Sequence, residues 1–181
     1  MNAAEGRLRP VTPLRIMAGD DYQGCFVTVG AALQATLRLR LALGAEADIR
    51  HGIGWGSVSV LSAEPRVEDG PGWWEARSAI EEVEVAQAKP GSRGLRTAYR
   101  RAPKTVGPDP DAVNAALVAR DQLLAGAGTE SLSVLAGMLA GMSQKAIAAE
   151  LGISPSAVSQ RIRRDGLAAL IRVDELLGEV R

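Results

Sequence analysis

The chain has 181 residues, and its 21 lysines and arginines are matched by 21 acids, so it carries no net charge. It is therefore no polycation, and any hold on nucleic acid must come from a local patch. A hydrophobic content of 46 % supports a core in one domain or two small ones, and the single cysteine, Cys25, rules out an intramolecular disulfide. Residues 1–13 lack the apolar centre of a secretion signal and no run has membrane-spanning length, so a cytoplasmic protein without a membrane partner is expected.

Residues 1–13 are polar, with two prolines. Residues 14–18 predict a short strand, followed by the turn Gly19-Asp20-Asp21-Tyr22 and a second apolar run at 25–27. Residues 28–43 predict a helix. Leu33, Leu37 and Leu41 fall on one line, Val29 and Ala32 widen it, and Arg38 and Arg40 lie off it. After a loop at 45–48, residues 49–56 and 57–61 read as the two strands of a hairpin, the second alternating Val58 and Val60 with serines. Gly52, Gly54 and Gly56 predict bends or a close backbone approach. Residues 64–71 read as a turn-rich loop, and 72–88 as a helix with Trp73, Ala76, Ile80, Val83 and Ala86 on its inner side.

Charge then changes sign. Residues 64–88 hold seven acids against two arginines, whereas Lys89, Arg93, Arg96, Arg100, Arg101 and Lys104 follow with no acid among them. Prolines and glycines around this basic run predict a linker over 89–110, with at most a short strand or helix near 95–99. A solvated linker, one lying on the acidic helix, and a segment touching phosphates beside a DNA site all fit that composition.

From residue 111 the pattern is helical, at 111–125 and 131–140, with Ser131 as a candidate cap for the second helix. Residues 144–164, QKAIAAELGISPSAVSQRIRR, have the spacing of a helix-turn-helix. Ser143 caps a first helix that turns Ile147, Ala148 and Leu151 inward, and Ala148 is small where the helices cross. Gly152 suits a left-handed helix end, Ile153 fills the corner, and Ser154 and Pro155 open a second helix. Val158 and Ile162 then face the first helix, leaving Pro155, Ser156, Ser159, Gln160 and Arg163 outward. Arg161, Arg163 and Arg164 add positive charge, and no acid lies between Ser154 and Arg164. Double-stranded DNA is the expected partner, with Lys145, Arg161, Arg163 and Arg164 on phosphates and Ser156, Ser159 and Gln160 at base edges. A hairpin used only for packing or dimerisation would share some of this pattern. Beyond Gly166, an apolar stripe through Leu167, Leu170, Ile171, Val173, Leu176 and Leu177 would pack back on 111–125 or join a second copy in a homodimer.

The first half also carries a resemblance. RIMAGDDYQGCF, VGAALQATLRLRLAL and IRHGIGWGSVSV resemble the core of class III nucleotidyl cyclase domains and their GGDEF relatives. That resemblance implies Asp20 as a metal ligand holding a nucleotide triphosphate through Mg²⁺, with Tyr22 and Gln23 lining the same pocket. The chain departs from the family where a second metal-binding Asp belongs, since residues 1–13 contain none, and Trp73 stands where an Asn is expected, although Arg77 matches an arginine. The GDDYQG stretch and the HGIGWG hairpin are more similar to the SatD family, bacterial proteins of cyclase-like appearance. Members start with an Asp-bearing strand, so the expectation is a shortened chain whose sheet lacks a central strand.

The resulting expectation is an α+β protein. It has a cyclase-like (ferredoxin-like, palm-type) domain at 1–88, a linker at 89–110 and a helix-turn-helix domain at 111–181. Its expected role is a non-catalytic bacterial transcriptional regulator without a cofactor, the first domain serving sensing or dimerisation. The alternatives are a Mg²⁺-dependent nucleotide-binding protein or cyclase-type enzyme built on Asp20, and an adaptor whose halves bind proteins. His51, the sole histidine, has no partners for a catalytic triad and reads as a strand residue.

Overall fold

The computed structural model describes residues 10–17, 21–44 and 47–181, and its architecture is mixed α+β. Thr12–Ile16 (β1) pairs antiparallel with Tyr22–Cys25 (β2), Thr12 opposite Cys25. Helix α1, Val29–Leu43, starts where the Thr28 hydroxyl accepts the Ala31 N–H and stops at Gly44, whose φ of 55° is open to a residue without Cβ. Val29, Leu33 and Leu37 are buried and Leu41 half-buried, as the leucine spacing requires.

The next strand, His51–Trp55 (β3), does not form the expected hairpin with the segment that follows it. Ser59–Ala63 (β4) pairs instead with Arg66–Asp69 (β5), a strand inside the stretch expected as a loop, and Val60, Leu61 and Val67 on that ribbon are exposed. Helix α2, Pro71–Gln87, then crosses back to Thr97–Arg101 (β6), which runs parallel to β3 with His51 opposite Thr97 and Trp55 opposite Arg101. A parallel pair needs such a long crossover.

The glycines of β3 explain the arrangement. A Cβ on Gly52 would stand 1.9 Å from the Ala76 carbonyl oxygen, and one on Gly54 would stand 2.0 Å from that of Gly72. Helix α2 therefore rests directly on bare strand backbone. That contact selects Gly72, Ala79 and Val83 as its buried positions, while Ile80, expected inside, is exposed.

Residues 89–110, expected as a linker, contain a 3-10 turn at Pro90–Ser92 and all of β6, whose Thr97, Ala98 and Tyr99 are buried. Two of its cations have acidic partners elsewhere in the chain. Arg100 bonds Glu75 at 2.6 Å and also reaches Glu82, both on α2, while Arg96 pairs with Asp48. The acidic run and the basic run that follows it thus meet through Arg100, which bridges Glu75 and Glu82.

Five helices complete the chain: α3, Pro110–Gly126; α4, Thr129–Leu139; α5, Gln144–Leu151; α6, Pro155–Arg164; and α7, Leu167–Gly178. Packing does not break near residue 111. Helix α3 lies on β6, where Asn114 exchanges two hydrogen bonds with the Tyr99 backbone. Helix α7 packs most closely on α1 rather than on α3. A Cβ on Gly30 would meet the Gly178 carbonyl oxygen at 2.4 Å, and Asp174 accepts from Gln34 and Arg38. Helix α1 feeds two cores, one through Leu37 with Leu124, Val134, Ile147 and Val158, the other through Leu33 with Ile53, Tyr99, Leu117 and Leu177.

A buried ionic group ties these layers together. Asp121 is 0 % exposed and Arg120 is 1 % exposed. One carboxylate oxygen accepts from Arg40 at 3.1 Å and from Arg120, and the other accepts the N–H groups of Arg96 and Thr97 at 2.7 and 2.8 Å. Arg120 also donates to the Thr97 hydroxyl at 2.8 Å. Next to Thr97 across the ladder, His51 is 2 % exposed with neither ring nitrogen hydrogen-bonded, and its ring stands edge-on to Tyr22 at 5.9 Å. Burial, then the nearby Arg120 and Arg40 cations, pull its pKa from 6.5 to about 3.

Two outcomes follow for stability. Asp121→Ala strips the carboxylate from a buried guanidinium and should destabilise the chain by about 3–5 kcal/mol in urea unfolding; a loss under about 1 kcal/mol would disprove its structural role. His51 is neutral when folded and binds a proton more readily when unfolded. Its share of stability is therefore complete above pH 6.5 and declines as pH falls toward about 3, at up to about 1.4 kcal/mol per pH unit. Unfolding curves measured below pH 6.5 should show this decline in the parent and a flatter one in His51→Gln.

Candidate functional site

The α5–α6 pair is built from local hydrogen bonds. The Ser143 hydroxyl accepts the Ala146 N–H at 3.2 Å to start α5, and Gly152, at φ 65° and ψ 31°, ends it in the left-handed region. The Ile153 N–H returns to the Ala148 carbonyl at 3.0 Å, which fixes the corner. Ser154 then accepts the Ala157 N–H at 3.1 Å and Pro155 occupies the first turn of α6. Ile147, Ala148 and Val158 are buried, with Leu151, Ile153 and Ile162 packed against the same core. Each side chain expected to face inward does so.

The opposite surface is polar. Lys145, Pro155, Ser156, Gln160, Arg163 and Arg164 are exposed, while Ser159 and Arg161 are half-buried on the flanks of α6. Ser156, Gln160 and Arg163 follow the i, i+4, i+7 spacing that places them on one stripe. Arg163 donates to the Ser159 hydroxyl at 2.7 Å.

The other two arginines have acidic partners that the motif itself lacks. Arg161 pairs with Glu130 in the first turn of α4. Arg164 forms a two-pronged pair with Asp165, at 2.7 and 2.8 Å, and Asp165 also accepts the Ser131 hydroxyl. These bonds, from Arg164 first and Ser131 second, hold the Asp165 carboxyl well below the ordinary carboxylate range. Ser131 is accordingly not the expected helix cap. Helix α4 begins earlier, at Thr129 behind Gly128, and Ser131 is turned onto the end of α6. The absence of acids within residues 154–164 gives no sign of Glu130, 31 positions away from Arg161.

The expected metal ligand Asp20 lies outside the described residues. Its neighbour Asp21 is exposed, and its carbonyl accepts the Met17 N–H at 2.8 Å as a turn contact. Tyr22 and Gln23 are half-buried, and burial raises the Tyr22 hydroxyl pKa. Arg77 is exposed on α2, whereas Trp73 is half-buried with its indole nitrogen unpartnered. Among the described residues no three His, Cys, Asp or Glu side chains gather as metal ligands. No described helix is long and apolar enough to cross a membrane.

Against known proteins, the profile of the SatD family matches residues 8–178. No curated protein and no solved structure matches the chain.

Proposed function

The chain belongs to the SatD family, and we propose that this member is a cytoplasmic bacterial DNA-binding protein, a transcriptional regulator that uses residues 144–164 as a helix-turn-helix. The reading rests on one observation: the exposed stripe Ser156, Gln160 and Arg163 stands on a short helix whose other face is locked by Val158 and the Gly152 corner. Such a helix offers the hydrogen-bonding groups that base edges accept, Gln toward adenine and Ser toward several bases. Lys145 and Arg163 are the exposed cations for phosphates, and Ser159 orients Arg163. Pro155 opens the helix at its groove end, and Arg164 reaches phosphate when it exchanges Asp165 for DNA. The N-terminal region serves as a cyclase-like, non-catalytic unit for sensing or dimerisation. One short helix reads few base pairs, so a homodimer on a two-part site is the natural arrangement.

The decisive measurement is fluorescence-anisotropy binding to the DNA upstream of the protein's own gene, titrated with salt. Preference over scrambled DNA is expected, with affinity falling as salt rises. Gln160→Ala should change sequence preference, whereas Arg163→Ala should weaken all duplexes and reduce the salt slope by about one. Failure of a folded sample to bind at low salt would overturn the reading.

A further inference from the structure

A cavity of about 260 Å³ opens where the last turn of α1 meets α3, α4 and the segment leading into β3. Leu41, Ile49, Leu124 and Leu132 supply its apolar wall and Arg40 its charged end. The Arg40 side chain is 20 % exposed, and among the described residues its guanidinium has one acceptor, Asp121. A guanidinium carries its N–H groups in a planar fork, so most of those on Arg40 stay available at the cavity wall.

Charge selects what completes this end. Arg40, Arg96 and Arg120 stand with Asp48 and Asp121, three cations against two anions, which leaves one positive charge over. The C-terminal end of α1 returns the equivalent of about half a negative charge, less than that surplus. A single anionic group offsets the remainder, whereas a dianion exceeds it. The arginine fork matches a carboxylate, which it holds through paired hydrogen bonds. An engineered apolar cavity of about 150 Å³ binds benzene, so about 260 Å³ gives room for roughly ten heavy atoms.

We infer that this cavity binds a small monocarboxylate with an apolar body, its carboxylate on Arg40 and its body against Leu41, Ile49, Leu124 and Leu132. The site is separate from the α6 surface, and its occupancy does not depend on what that surface binds.

The test is a nitrogen-15 NMR titration of the full chain with phenylacetate, hexanoate and the neutral, equal-sized phenylacetamide. At least one carboxylate should bind with a dissociation constant below about 1 mM and move the amide signals of Leu41, Ile49, Leu124 and Leu132 together. Phenylacetamide should bind about tenfold more weakly than phenylacetate, and Arg40→Gln should cost the carboxylates a similar factor. Ala47→Trp, which fills the cavity and leaves the ion cluster intact, should abolish binding. Thermal unfolding checks that each variant is folded. Arg40→Gln takes a partner from buried Asp121, and if it does not fold, the comparison of carboxylate with amide decides without any variant. Absence of carboxylate binding up to about 10 mM overturns the inference. So do signals that move only elsewhere in the chain, an amide that binds as tightly as its carboxylate, or undiminished binding by folded Ala47→Trp.

Discussion

The Asp121 carboxylate is the constraint on which the other contacts depend. It is buried, and both of its oxygens are used, one by two guanidinium groups and the other by two successive backbone N–H groups. The backbone pair sets where β6 begins, which puts Tyr99 against the α1 and α3 side chains of the same core. Arg40 brings in the last turn of α1, and Arg120 reaches back to the Leu33 carbonyl one core layer away. Burial above all, and then the surplus positive charge of two cations around one anion, keep His51 beside them neutral. A buried network of this kind fixes geometry because a partly satisfied version of it would be much less stable.

From that node the order propagates in two directions. Toward the sheet, the glycines of β3 let α2 settle on bare backbone, and Arg100 with Glu75 keeps the crossover helix over β6. Toward the C-terminus, α1 meets α7 at the Gly30–Gly178 contact and through Asp174, and its Leu37 reaches the core beneath Val158. The α6 surface is therefore referenced to the N-terminal region through packed helices, α1 together with α3 and α7, not through a flexible tether. A change at either end of α1 has a short packed route to the other.

Local features are legible in the sequence because local chemistry makes them. Ser143, Gly152, Ser154 and Pro155 each act within four residues of themselves, so their spacing is enough to place α5 and α6. The leucine line of α1 is readable for the same reason. The pairing of the strands is not, because a parallel pair between His51 and Thr97 exists only once α2 has closed the distance, and no short window contains that fact. The basic run reads as a linker because its acidic partners, Glu75 and Glu82 on α2 and Asp48 before β3, lie elsewhere in the chain. Ser131 resembles a cap by composition, and only the approach of α6 gives its hydroxyl a different acceptor. The nucleotide-site resemblance turns on Asp20, a position outside the described residues.

The sharing of α1 between both cores also bears on ancestry. DNA-reading modules are commonly pictured as cassettes that recombination moves from gene to gene. In this chain the segment after residue 110, lifted out in that way, would carry away Leu124, Leu167 and Leu177 and leave Leu33 and Leu37 of α1 facing water. Exchange at residue 110 would therefore break two interiors at once. A swap of either part would have to be accompanied by matching changes where α1 meets α3 and α7.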